Sequence, residues 1–130
     1  MQFDILTLHP EMCIGPMQQS ILGRAQLDGR ISVRVHDLRA WAEGKHRQVD
    51  DTPYGGGAGM VMRVDVVDRG VCAVAGPDAH VLLMAPAGKP FTHSDAQRLS
   101  SKKQLVLICG HYEGIDGRVR EHVTVSNTHL

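Results

Sequence analysis

Near its C-terminus the chain reads Leu105-Val106-Leu107-Ile108-Cys109-Gly110-His111-Tyr112-Glu113-Gly114-Ile115-Asp116. The unbroken apolar run predicts a strand buried on both faces, as in a parallel sheet. Ligands of open parallel sheets bind beyond the carboxyl ends of the strands, and glycine lets the backbone approach a ligand closely. The stretch is therefore either one wall of a ligand site or a plain connection from strand to helix. Taken by itself, it leaves both readings open.

Strand and helix patterns alternate along the rest of the chain. Strands are predicted over 2–8, 31–35, 81–84 and 105–109, and helices over 16–27, 66–74, 94–100 and 115–122. This alternation predicts an α/β fold with a mainly parallel sheet and flanking helices. If the strands ending at Met84 and Cys109 are neighbours, connections at Ala85–Gly88 and Gly110–Gly114 line one crevice. Within it, Tyr112 either stacks on a flat ring or packs on the sheet, and Glu113 either contacts a ligand or caps a helix.

Residues 37–62 show no period, and a loop of this length inside a compact domain is usually functional or mobile. Four glycines crowd its centre, at positions 55, 56, 57 and 59. The phosphate-binding pattern Gly-x-x-x-x-Gly-Lys-Ser/Thr is absent from the chain, and this loop does not join a strand to a helix. The composition of the loop therefore does not predict a nucleoside triphosphate site.

The composition describes a soluble globular domain: 130 residues, 42% hydrophobic and 22% charged. Cys13, Cys72 and Cys109 are too few and too dispersed for a disulfide framework or a thiolate zinc site, and the eight histidines are scattered. We therefore expect no metal site. The N-terminus does not resemble a signal peptide and no apolar run reaches membrane-spanning length, so a cytoplasmic protein without membrane contact is expected.

The formal net charge is zero, which excludes a generally cationic protein that coats nucleic acid. A local excess of basic residues exists, however, at Arg24, Arg30, Arg34, Arg39, Lys45 and Arg47. This span either contacts phosphates or forms an ordinary mixed-charge surface. An RNA-binding or dimerisation module is accordingly one reading of the chain.

Three segments of the chain form a recognisable set. The segments are Phe3-Asp4-Ile5-Leu6-Thr7-Leu8-His9-Pro10-Glu11-Met12, His46-Arg47-Gln48-Val49-Asp50-Asp51-Thr52-Pro53-Tyr54-Gly55-Gly56-Gly57-Ala58-Gly59-Met60, and Cys109-Gly110-His111-Tyr112-Glu113-Gly114-Ile115-Asp116-Gly117-Arg118-Val119. Together they resemble a known family, the bacterial tRNA (guanine-37-N1)-methyltransferases. They occur in the family's order and cover the chain to about residue 119. The match is therefore specific.

The resemblance implies a SPOUT-class α/β domain with a trefoil knot, acting as a homodimer on N1 of guanosine 37 in tRNA. S-adenosylmethionine is the implied methyl donor. The implied donor-binding residues are Pro86, Gly88, Gly110, Tyr112, Glu113 and Gly114. The implied tRNA loop contains Arg47, Asp50, Tyr54, Gly55, Gly56, Gly57 and Gly59.

The sequence also departs from the family. Ala58 stands where the family usually has proline, and Ala85 and Ala87 replace a serine and a glutamine. From about Val123 the family pattern fades, so we expect an incomplete methyltransferase domain over 1–125, an unrelated tail over 126–130 and an incomplete knot. The family's general base and third donor loop lie further along its sequences. No catalytic residue is therefore predicted here, and an inactive remnant without methyl transfer is the alternative to the enzyme.

Overall fold

The computed structural model describes residues 1–112, 114–122 and 126–129, with side chains for 1–86, 88–112 and 114–119. Its strands are β1 (Gln2–Thr7), β2 (Ser32–Asp37), β3 (Asp50–Asp51), β4 (Val61–Met62), β5 (Ala79–Pro90), β6 (Gln104–Cys109) and β7 (Ser126–His129). Its helices are α1 (Pro10–Met17), α2 (Ser20–Leu27), α3 (Val64–Val74), α4 (His93–Ser100) and α5 (Gly117–His122), with a 3₁₀ turn at Leu38–Trp41.

The main sheet contains five strands in the order β2-β1-β6-β5-β7, and every pairing in it is parallel. The predicted α/β class with a parallel sheet and flanking helices is confirmed. Strands β3 and β4 form a separate antiparallel pair within the long irregular region.

Side chains that alternate along the strands build two apolar clusters, one on each face of the sheet. On one face Leu6 and Ile108 are fully buried and join a cluster with Val67 of α3. On the other face Leu82 and Leu105 pack with Leu99 of α4. Burial on both faces explains why β6 is a continuous apolar run rather than an alternating one.

The predicted helix over 16–27 is wrong in its extent, because the structure has two helices. Helix α1 begins at Pro10, where proline is tolerated because the first helical N–H has no partner inside the helix. Residues 18 and 19 separate the helices, and the Gln26 side chain donates to the Met17 carbonyl oxygen over 2.6 Å. The sequence predicts no helix before residue 16, so α1 is an addition to the predicted elements.

The predicted connection at Ala85–Gly88 is wrong. These residues are part of β5, which continues to Pro90. The pairing of β5 with β7 shifts register between Met84 and Lys89, so the intervening residues form an irregular stretch of the strand. The neighbouring strand explains the difference: β7 offers hydrogen-bonding groups beyond Met84, and a pattern read from residues 81–88 alone contains no sign of it. Pro86 and Gly88 lie within this irregular stretch.

The backbone of residues 126–129 belongs to the main sheet as its edge strand β7. Residues 123–125, where the sequence suggested the start of a strand, lie outside the described residues. The domain boundary at residue 125 stays a prediction.

A buried carboxylate joins the central strands. Asp4 of β1 is 1% exposed and accepts hydrogen bonds from the side-chain amides of Gln2 and Gln104, over 2.6 and 2.7 Å. His36 Nε2 of β2 lies 2.8 Å from its other oxygen. Gln104 also bonds the Val74 carbonyl oxygen and the Gly76 N–H at the end of α3, both over 2.8 Å. The cluster therefore links three strands and a helix.

Candidate functional site

The ends of three strands meet at the carboxyl edge of the sheet. Met84 of β5 pairs in register with Cys109 of β6, so the segments that follow them start side by side. The predicted adjacency of these two strands is confirmed. After β1, His9 reaches the same edge, with its ring centroid 4.7 Å from that of His111. This is the position at which open parallel sheets bind ligands.

A tight turn over residues 110–116 follows β6, and we call it the strand-end turn. Tyr112 has φ +61° and Gly114 has φ +148°, so both have backbone conformations that residues other than glycine rarely adopt. Ile115 packs on Gly110, where a Cβ would lie 3.1 Å from two Ile115 side-chain carbons. A side chain at position 110 would therefore be tightly packed against Ile115. Glu113, a predicted contact, lies outside the described residues.

Backbone hydrogen bonds attach the strand-end turn to β4, at the end of the long irregular region. The Met62 N–H donates to the Gly114 carbonyl oxygen over 3.0 Å, and the Asp116 N–H donates to the Met62 oxygen over 3.2 Å. Met62 is 1% exposed, and its sulfur lies 3.3 Å from the backbone nitrogen of His111. The second of the two longer motifs is therefore attached to β4, which follows directly after the first.

The Tyr112 side chain also lies near Asp50 of the first of these motifs. Burial raises the pKa of its hydroxyl group, and the neighbouring Asp50 carboxylate raises that pKa further. Tyr112 remains 43% exposed. Its ring packs edge-on against His111, with centroids 5.0 Å apart. An exposed aromatic surface is therefore available at the carboxyl edge of the sheet.

We call residues 53–60 the glycine-rich loop, and it projects from the body of the domain. Gly55, Gly56 and Gly57 have φ values of +90°, +78° and +121°, a region that other residues rarely adopt. No atom lies within 4 Å of a Cβ built at these three positions. Tyr54 is 84% exposed. Arg47, before the loop, is exposed and has φ +44°.

Sequence reasoning did not assign a role to Asp116 or Arg118, which link the strand-end turn to the glycine-rich loop. Arg118 donates to both Asp116 carboxylate oxygens, over 3.0 and 2.6 Å, and its guanidinium lowers the pKa of that carboxyl. Arg118 Nη2 also donates to the Tyr54 hydroxyl oxygen over 3.1 Å. The spacing Asp-x-Arg at residues 116–118 is the sequence feature that could have predicted this ion pair.

A polar cleft of about 480 Å³ lies between the glycine-rich loop and Arg118. Its charged lining residues are Asp51, Arg63, Asp65, Asp116 and Arg118. Arg63 and Asp65 form a two-bond ion pair, with distances of 3.0 and 2.9 Å. The cleft therefore presents both charges beside an exposed aromatic ring.

Two further properties concern the described part of the chain only. Within it, no three His, Cys, Asp or Glu side chains are grouped so that they could hold a metal ion. None of the helices described there is long and apolar enough to cross a membrane.

Comparison with known sequences assigns the chain to a protein family. Residues 1–129 match the protein family described as tRNA (Guanine-1)-methyltransferase TrmD. The chain belongs to this family. The family assignment made from the three motifs is confirmed.

Curated members of the family are similar along nearly the whole chain. A tRNA (guanine-N(1)-)-methyltransferase of Chloroflexus aggregans is 51% identical over 126 residues, covering 95% of this chain and 49% of the relative. The protein of the same name from Heliobacterium modesticaldum is 49% identical over 128 residues, covering 93% and 47%. The Citrifermentans bemidjiense protein is 51% identical over 122 residues, covering 92% and 49%. The chain spans about half the length of these relatives.

Proposed function

We propose that this chain forms the donor-binding part of a methyltransferase that modifies N1 of guanosine 37 in tRNA, with S-adenosylmethionine as methyl donor. The observation that carries the proposal is the attachment of the strand-end turn to β4, the strand that directly follows the glycine-rich loop. Two hydrogen bonds join Met62, next to the glycine-rich loop, to Gly114 and Asp116 of the strand-end turn. A donor held at the turn would lie close to an RNA held at the loop.

Features of the carboxyl edge suit this donor. Turn backbone at Gly110 and Gly114 carries amide and carbonyl groups without side chains, which fits the polar edge of an adenine ring. Tyr112 offers an aromatic surface for the same ring. Pro86 and Gly88 lie in the irregular stretch of β5 beyond Met84 and would form the facing wall. We also propose a contact from Glu113, as the family motif implies.

When bound, S-adenosylmethionine would supply a methyl group on a positively charged sulfur. The residues of this chain would orient it: the strand-end turn holds the donor, and the glycine-rich loop approaches the RNA. Methylation of guanine N1 also requires loss of the N1 proton to a base. Asp50 lies near the Tyr112 hydroxyl group, and Asp51 accepts the Thr52 N–H over 2.8 Å. We assign the base to neither carboxylate.

Donor binding provides the test of this function. Calorimetric titration with S-adenosylhomocysteine, the product form of the donor, should show one site per chain. Adenosine lacks the amino-acid part and should bind more weakly, because fewer polar groups contact the protein. Absence of a heat signal with S-adenosylhomocysteine would contradict the proposal.

We further infer a SPOUT-class homodimer acting in the cytoplasm. Helices α1 and α2 support the dimer, since neither buries a single residue within the chain. Their exposed large apolar side chains are Met12, Ile14, Ile21, Leu22 and Leu27. We call these residues the α1–α2 apolar surface. Apolar patches of this kind mark protein contacts.

Replacing Ile21 by aspartate should convert a dimer into a monomer. Ile21 is 70% exposed in the single chain, so the charge would be tolerated by the fold but would be buried in the interface. Light scattering over a concentration series measures the change. Ala73→Asp, on the exposed side of α3, is the matched control and should leave the dimer intact. A dimer that survives Ile21→Asp would exclude this surface as the interface.

A further inference from the structure

Tyr54 is an exposed aromatic residue whose ring is nevertheless held by a neighbour. It is 84% exposed, yet the Arg118 guanidinium carbon lies 5.4 Å from the ring centroid. The same guanidinium donates to the Tyr54 hydroxyl oxygen over 3.1 Å. Hydration of an exposed aromatic ring is unfavourable, and a ligand that covers the ring removes that cost. Here the position of the Tyr54 ring is already restricted before any ligand binds.

Arg118 can restrict the ring because it is itself fixed at two points. Its side chain makes two hydrogen bonds to the Asp116 carboxylate, and its own N–H donates to the same group over 3.0 Å. The Asp116 side chain is 9% exposed, and its N–H bonds the Met62 oxygen. The Tyr54 ring is therefore connected, through Arg118, to the buried end of β4.

The remainder of the glycine-rich loop offers little other support. Its internal hydrogen bond runs from the Gly56 N–H to the Pro53 oxygen, over 3.1 Å. Among the described residues, the contact of Tyr54 with Arg118 is the one polar side-chain link from residues 53–60 to another element. The loop would lose this anchor if either side chain were removed.

We propose that Tyr54 is a stacking platform for an unpaired nucleobase of a single-stranded RNA loop, and that Arg118 is the positioning residue that orients it. The proposal rests on the proposed function, to which it adds how the RNA is held. Proteins recognise single-stranded RNA loops by stacking splayed bases on aromatic rings, a contact that tolerates any base. Tyr54 thus supplies affinity rather than base identity.

The polar cleft next to the ring supports a nucleotide rather than an apolar ligand. It has a volume of about 480 Å³, and its walls include Asp51 and Arg63. A carboxylate can accept hydrogen bonds from base amino and imino groups, and a guanidinium can bind phosphate. Both types of group therefore lie within reach of a nucleotide whose base stacks on Tyr54.

Binding of two RNAs to the full chain tests the platform. One is a hairpin with a tRNA anticodon loop containing G37, and the other is an unrelated single-stranded RNA. Tyr54→Ala should weaken both by roughly 5- to 150-fold, the range for one lost base stack. Tyr54→Phe keeps the ring and should stay within about threefold of the unchanged protein. Arg118→Gln should give a loss intermediate between these, and Arg118→Lys should recover part of it by keeping the cation.

One control variant and two modified RNAs separate stacking from charge and from misfolding. Lys103→Gln removes one exposed charge at the amino edge of the sheet, where Lys103 lies 3.9 Å from Asp78. The loss of RNA affinity caused by Tyr54→Ala should be the same with or without this change. Abasic nucleotides introduced one at a time into the hairpin loop should locate a position at which Tyr54→Ala causes no further loss. 2-Aminopurine at that position should be quenched by the unchanged protein and less by Tyr54→Ala.

Three results would overturn the platform: equal affinities for Tyr54→Ala and the unchanged chain, equal losses for Tyr54→Phe and Tyr54→Ala, or no RNA binding by the unchanged chain. The donor titration with S-adenosylhomocysteine does not depend on Tyr54. Donor binding without RNA binding would therefore reject the platform alone, and RNA stacking without donor binding would reject the methyltransferase function.

Discussion

The free energy of unfolding should fall by roughly 3 kcal/mol when Asp4 is replaced by alanine. Asp4 is buried and accepts bonds from Gln2 and Gln104, with His36 at its other oxygen. Truncation would leave these donors unsatisfied inside the sheet, and an unsatisfied buried polar group costs more than its hydrogen bond contributes. The loss would also loosen the link from Gln104 to the end of α3.

The effect should depend on pH in one direction. Burial raises the pKa of the Asp4 carboxyl, but hydrogen bonds from His36, Gln104 and Gln2 outweigh burial and leave the pKa below its ordinary value. The unfolded chain therefore takes up a proton first as the pH falls, which favours unfolding. The unchanged protein should have its full stability advantage over Asp4→Ala above about pH 4. The difference in free energy of unfolding should shrink as the pH falls through the lowered pKa of Asp4.

Urea unfolding followed by circular dichroism, at a series of pH values, measures both effects. Asp78→Ala is the matched control, because Asp78 is a 74% exposed carboxylate with a single ion pair to Lys103. It should change stability by less than about 1 kcal/mol. A stability loss for Asp4→Ala no larger than that of the control would show that the buried cluster contributes little.

Gly110→Val should weaken binding of S-adenosylhomocysteine by at least about tenfold. Any Cβ at this position would lie 3.1 Å from the Ile115 side chain, and valine adds two methyl groups beyond it. Ile115 would have to move, and it is bridged to Met62 in the backbone pairing that attaches the strand-end turn to β4. The proposed donor-binding groups of the turn would move with it.

Calorimetry compares Gly110→Val with Gly110→Ala, for which we expect a smaller loss because alanine adds only the Cβ. The control is Gly117→Val, since a Cβ at Gly117 meets no atom within 4 Å. Thermal unfolding of each variant checks that the sheet remains folded. Unchanged affinity in a folded Gly110→Val variant would remove the strand-end turn from the proposed donor site.

Local sequence patterns determined the α/β class and the positions of most strands, because the periodicity of side chains reports burial within one element. The run at 105–109 identified β6, and the three motifs identified the family. Local reading failed where a distant neighbour decides the outcome. It ended β5 at Met84, whereas pairing with β7 extends that strand to Pro90. It also missed α1, which begins at Pro10, six residues before the predicted helix.

Only the tertiary structure decided which distant residues share a site. Asp4 and Gln104 are 100 positions apart, and Tyr54 and Arg118 are 64 apart. The motifs at 46–60 and 109–119 determined that two glycine-containing loops exist, but not that Met62 pairs with the turn between Gly114 and Asp116. The physical reason is that such contacts depend on strand order and on how each loop returns to the sheet. Neither is recorded in the spacing of residues along a single element.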